Sequence, residues 1–174
     1  MNRFILLLLV LAASSALQAA IPSVTVNQAG GQGDPTNASP VVFTAVFSEA
    51  VSGFTDTDVA FTGSTVGGTL AATVSTADNI TWTINVTGMS GTGTVVASIP
   101  AAVCVSVSTA EDNTQSTSTD NSVTFDNDAP SVTVNQAGAQ ADPTNAATIN
   151  FTATFSETVT GFTSAGVTIG GTAT

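Results

Sequence analysis

The sequence predicts an all-β chain of sandwich type. Three observations carry this. Runs of four to eight residues rich in Val, Thr, Ile and Phe alternate with clusters of Gly, Asn, Asp, Pro and Ser, the pattern of short strands joined by turns. The pattern then recurs: PSVTVNQAG at Pro22 returns at Pro130, an offset of 108 without a gap, with 27 identities over the 45 positions 22–66 against 130–174. Finally, charged residues make up only 7% of the 174, against a usual ~25%, and Thr and Ser take their place on the outside.

Each predicted strand has its own reason. Ser23–Gln28 alternates Val and polar residues. Val41–Ser48 is the clearest, with Val41, Phe43, Ala45 and Phe47 on one face and Thr44 and Ser48 on the other. Val59–Gly63 follows as a third strand. Leu70–Ser75 and Ile80–Thr87 flank Thr76–Asn79 as a hairpin, and Ile80, Trp82, Ile84 and Val86 share a face. Gly93–Ile99 and Ser122–Asp126 complete the set. Seven strands in ~105 residues is the count and size of an immunoglobulin-like sandwich. The expected core is Phe43, Phe47, Phe61, Trp82, Ile84, Val95, Ile99 and Phe125. A β-branched Thr suits a strand and its hydroxyl suits a solvent face, so alternating Thr keeps such sheets wet with few charges. Gly67, Gly68, Gly88 and Gly91–Gly93 read as turn glycines, with nothing basic after them to form a phosphate loop.

The repeat divides the chain. Residues 1–20 form a predicted signal peptide, with Arg3, an apolar run from Phe4 to Ala13 and a small-residue stretch to Ala20; the run is too short to span a bilayer. An uncleaved N-terminal anchor is the other reading. Residues 21–129 form a complete first unit. Residues 130–174 hold only the first strands of a second: Val132–Gln136, Ile149–Ser156 and Val167–Gly171. A repeat array is expected to end on a capped unit, so the sequence reads as a fragment of a longer repeat protein or as a truncated reading frame. Phe151 and Phe155 are then expected to face water or latch onto the first unit.

Charge excludes several functions. There are 12 Asp+Glu, no His, and one Lys+Arg, which is Arg3. Past residue 20 there is no basic side chain, hence no His or Lys general base, no Ser–His–Asp triad, no His metal ligand and no phosphate clamp. Nucleic acid and anionic membranes are repelled. Cys104, the single cysteine, sits between Val103 and Val105 and reads as a small, half-buried residue. Asn79-Ile80-Thr81, Asn85-Val86-Thr87 and Asn150-Phe151-Thr152 match the N-glycosylation pattern, as chance supplies in a Thr-rich chain.

Taken together, GDPTNASP followed by FTAVFSEAVSGFT, then GTGTVVASIPA, STSTDNSVTFD and DNDAP, resemble the bacterial Ig-like repeats of secreted, surface-attached proteins. The resemblance covers 22–128 and the available part of 130–174. It implies an Ig-like sandwich used as a stalk or adhesion module, without catalysis, whose partners are neighbouring repeats. Thr109–Asn113 reads TAEDN where such repeats often carry an Asp-x-x-Gly-Asn turn.

Acidic residues in a base-free exported chain either solvate the surface or bind a hard cation such as Ca²⁺. Asp126 and Asp128 lie in the linker DNDAP, which is similar to the cadherin inter-repeat junction. Sandwich topology adds Asp34 from the loop after the first strand and Glu157 from the loop after the second unit's second strand. These four are the expected Ca²⁺ ligands, while Glu49, Asp56 and Asp58 fall at the opposite end of the first unit. Three functions stay open: a spacer module, a carbohydrate- or protein-binding adhesion module with a cell-surface or glycan ligand, and an accessory domain of a larger secreted enzyme.

Overall fold

A computed structural model describes residues 20–172, so the predicted signal peptide lies almost wholly outside the described residues. The chain divides into two compact units with the boundary between Asn127 and Asp128. Among the described residues, all regular structure is strand, apart from two single 3-10 turns.

Unit one holds β1 (Val24–Gln28), β2 (Val41–Phe47), β3 (Val51–Ser52), β4 (Gly67–Thr76), β5 (Thr81–Ser90), β6 (Gly93–Val96), β7 (Val105–Ser106) and β8 (Ser122–Phe125). An antiparallel sheet runs in the order β1-β2-β5-β4, and β3 pairs with β7 and β6 with β8. Register follows from the alternation in β2: Phe43 lies opposite Ile84 and Ala45 opposite Trp82 on one side, while Ala45 lies opposite Val26 on the other. A slip of one residue would turn this whole apolar set to water. Val95, Val123 and Phe125 from β6 and β8 join Phe43, Ile84 and Val86 in a single core. Trp82 is buried and meets Phe54 edge-on at 5.1 Å; Phe54 in turn meets Phe47 at 5.6 Å. The outward Thr73, Thr81, Thr83 and Thr87 are exposed, as alternation requires.

Several expectations need correction. Val59–Gly63 is no strand. Its approach is a 3-10 turn, Asp56–Asp58, in which Asp58 accepts from the Thr55 N–H at 2.7 Å. Past it, Ala60 and Ser98 exchange both backbone bonds (2.8 and 2.9 Å) as one isolated antiparallel bridge, and the Ser64 and Thr65 hydroxyls accept from Val96 N and Thr94 N at 2.9 Å, so the segment beside β6 is held by a single bridge and by side chains rather than by a continuous ladder. Phe61 is accordingly only partly buried. The strand expected to reach Ile99 stops at Val96, because the Ile99 N–H turns to the Ser116 hydroxyl (2.9 Å). The two-residue strands β3 and β7 carry too little alternation to be read from sequence. Gly67, Gly68 and Gly88 sit in strands, not turns. A Cβ at Gly88 (φ +86°) would overlap the Thr69 carbonyl, and one at Gly68 (φ +96°) would overlap the Gly88 carbonyl, at the bulge between β4 and β5.

Unit two holds β9 (Val132–Gln136) and β10 (Phe151–Phe155), paired antiparallel, then a 3-10 turn at Ser164–Gly166. The strand expected at Val167–Gly171 is absent, and that expected from Ile149 begins at Phe151. Local bonds match those of unit one 108 positions earlier. Val42 N bonds Gln32 Oε1 at 2.7 Å and Asn150 N bonds Gln140 Oε1 at 2.9 Å. Phe155 meets Phe162 edge-on at 5.1 Å, as Phe47 meets Phe54.

Candidate functional site

The acidic residues can be placed one unit at a time. In unit one, Asp34 Oδ1 accepts the Thr124 N–H at 2.9 Å, and Asp126 Oδ1 accepts the Thr92 hydroxyl at 3.1 Å. Between them, Thr36 N donates to Thr124 O (2.9 Å) and Asp126 N to Thr36 O (2.8 Å). Asp34 and Asp126 therefore flank one short parallel contact at the same end of the unit. Asp128 and Glu157 belong to unit two. There, mutual bonds between Ser131 and Ser156, both 3.0 Å, put Glu157 at the end where the unit begins. Among the described residues, no three acidic or thiol side chains within a unit gather into a metal-binding group.

The carboxylates expected at the other end of unit one are acceptors for their own fold. Glu49 Oε2 takes the Ser106 and Ser108 hydroxyls at 2.7 and 3.0 Å. Asp56 Oδ1 takes the Val74 N–H at 2.7 Å, pinning the 3-10 turn to β4. In the β4–β5 hairpin, Asp78 Oδ1 takes the Thr81 and Ile80 N–H groups at 2.7 and 2.9 Å. Those donors hold the Asp78 carboxyl below its ordinary value, Thr81 first. In a chain without basic residues past position 20, backbone amides and hydroxyls do the work of cations.

Two side-chain amides that hold loops, one of them buried, were not read from the sequence. Asn113, 2% exposed, accepts from Val103 N (2.9 Å) and Cys104 N (3.0 Å) and donates to Pro100 O (2.9 Å) and Thr114 O (2.8 Å). It closes the loop that contains TAEDN, whose left-handed residue is Ala110 (φ +60°) rather than a glycine. Asn27 Oδ1 ties down Thr119 N and Asp120 N, both at 3.1 Å. The only hint in the sequence was the recurrence of Asn27 and Gln32 as Asn135 and Gln140.

Cys104 is 3% exposed, so it is a full core residue rather than a half-buried one. Burial pushes its thiol up to about 11, and the charges of Asp58 and Asp112 add to the shift. Burial also removes Trp82 as a platform for stacking sugars. Among the described residues, no helix is long and apolar enough to cross a membrane. Compared with protein-family models, curated proteins and solved structures, the chain matches none.

Proposed function

We propose that the chain is a non-catalytic, immunoglobulin-like spacer module of an exported, surface-attached repeat protein. The observation that supports this best is how unit one is closed. β1 runs parallel to the segment 114–120 through Thr114 N to Pro22 O (2.8 Å), Thr117 N to Val24 O (2.9 Å), Val26 N to Thr117 O (3.0 Å) and Gln28 N to Asp120 O (2.6 Å). Tension applied at the two ends of the unit draws these parallel segments in opposite directions along their length. The bonds are then loaded side by side, in shear, and must fail together. A stalk needs that property; an enzyme or a small-ligand receptor does not. The sequence resemblance to bacterial Ig-like repeats supports the same reading, as does a surface wetted by Thr rather than by charge.

Within this reading, Ca²⁺ at the acidic linker would add stiffness. Asp34, Asp126, Asp128 and Glu157 offer only oxygen donors, which suits a hard cation. Terbium luminescence tests it: binding tighter than about 1 mM, with calcium-dependent melting abolished in the Asp126→Ala/Asp128→Ala variant, is expected. Melting unchanged by that variant contradicts it. A glycan array separates spacer from adhesion module. The spacer retains no glycan; a reproducible, saturable hit contradicts it.

A further inference from the structure

The four-stranded sheet of unit one has two edges, and they are finished differently. β1 is backed by the segment 114–120 through backbone bonds along its whole length. β4 ends the sheet: among the described residues, β5 is the only strand paired with it. This edge is long and plain. Gly67–Thr76 reads GGTLAATVST, ten residues without a charge or a proline, two of the devices that usually blunt an edge. A bulge between Gly68 and Ala71 disturbs its first half, whereas Ala71–Thr76 runs in regular register with β5.

One side chain finishes the regular half. Asp56 Oδ1 accepts the Val74 N–H at 2.7 Å, and among the described residues Asp56 supplies the only side chain bonded to the β4 backbone. That bond also gives the edge its direction. Val74 turns its peptide groups away from β5, and alternate residues of a strand send theirs the same way. Ala72 therefore directs its N–H and C=O to the same open side. Two copies of β4 set antiparallel about Thr73 place Ala72 of each opposite Val74 of the other. Each such pair exchanges two N–H···O bonds, so four form, and two of them need the Val74 N–H that Asp56 holds. Ala72 and Val74 pack on the core side while Thr73 is exposed, so the pairing continues both faces of the sheet.

We propose that Asp56 is an edge guard: it keeps β4 of unit one from pairing with the same strand of a second copy, in a two-fold arrangement about Thr73. Charge points to a second copy as the occupant. The chain has 12 Asp+Glu and no basic residue past position 20, so two copies approach only where no carboxylates meet, and the β4 edge without Asp56 is such a place. With Asp56 present, the same approach brings one carboxylate from each copy to the seam and finds both Val74 donors taken. This goes beyond the spacer reading, since it assigns the surface through which copies join and the residue that keeps them apart.

The test compares the full chain with its Asp56→Ala variant by sedimentation velocity and amide exchange. Asp56→Ala is expected to self-associate at least about tenfold more tightly than the unchanged chain. Exchange at Ala72 and Val74 should slow as its concentration rises, while Trp82 fluorescence stays that of the folded unit. Val74→Pro supplies the second arm. Proline removes an N–H that gives no bond to β5 and is tolerated on an edge strand. Asp56→Ala/Val74→Pro is therefore expected to return to the self-association of the unchanged chain. An Asp56 that merely steadies its turn gives a lower melting temperature with no gain in association, and that result overturns the proposal. So does a gain that Val74→Pro leaves in place, or one that appears only once Trp82 fluorescence reports unfolding.

Discussion

Replacing Asn113 by Ala tests how a base-free, nearly charge-free chain holds its long loops. The amide makes four side-chain bonds of 2.8–3.0 Å, to Val103 N, Cys104 N, Pro100 O and Thr114 O. Truncation strands all four partners. Each lost bond is worth about 1 kcal/mol where water can reach the freed group, and about 2 kcal/mol where it cannot. Cys104 is buried and the other partners lie nearer the surface, so the expected loss is about 4–5 kcal/mol. That is a large part of the 5–15 kcal/mol typical of a domain. Asn121 supplies the internal control. Its side chain donates one bond, to Ala97 O at 2.8 Å, so Asn121→Ala should cost about 1 kcal/mol. Urea melts followed by tryptophan fluorescence measure both, because Trp82 is the only tryptophan and reports unit one alone. If Asn113→Ala costs no more than Asn121→Ala, the loop is held by its own backbone and the reasoning fails.

Three further predictions concern charge and backbone. Unit one should lose stability as pH rises from about 9 toward 11: the Cys104 thiol ionises near 9 when unfolded and only near 11 when folded, so the folded state binds its proton more tightly in that window. With no Tyr, no His and Arg3 as the only base, no other side chain titrates there, and Cys104→Ala should flatten the alkaline limb of the melting profile. Asp78, whose carboxyl is lowered, contributes stability above its ordinary value near 3.8 that is lost as pH falls through its folded value; Asp78→Asn should reduce the acid dependence of melting. Gly88→Ala should cost at least about 3 kcal/mol in urea melts, because its φ of +86° and the Thr69 carbonyl both exclude a Cβ.

Long alternating segments were legible in the sequence, and short or side-chain-bonded ones were not. β2 and β5 were recognised because burial alternates over seven residues in each, Val41–Phe47 and Thr81–Thr87, which leaves only one face to bury; the last three residues of β5, up to Ser90, lie past that alternation and past the expected end at Thr87. Seven of the eight expected core residues are buried; Phe61 is only partly so, in a segment held by the single Ala60–Ser98 bridge and the Ser64 and Thr65 hydroxyls rather than by a regular strand. β3 and β7, at two residues each, carry no period at all. Topology placed Asp34 beside the end of β8, where Asp126 also lies, since both follow from the strand order. It did not reveal that Glu49, Asp56 and Asp78 are consumed as acceptors of hydroxyl and amide groups. Partners of that kind are set by loop geometry at the scale of one bond, which residue type alone leaves open.

The spacer reading rests on the parallel closure of β1 against segment 114–120, and pulling on single molecules measures that closure directly. Two attachment geometries separate the cases. Pulling through Ile21 and Asn127 loads the four backbone bonds in shear, whereas pulling through Ile21 and Gln115 peels them one at a time. Forced unfolding reports the unfolding barrier rather than equilibrium stability. The account predicts a clearly higher rupture force for the first geometry at the same loading rate. Equal forces in the two geometries would contradict it.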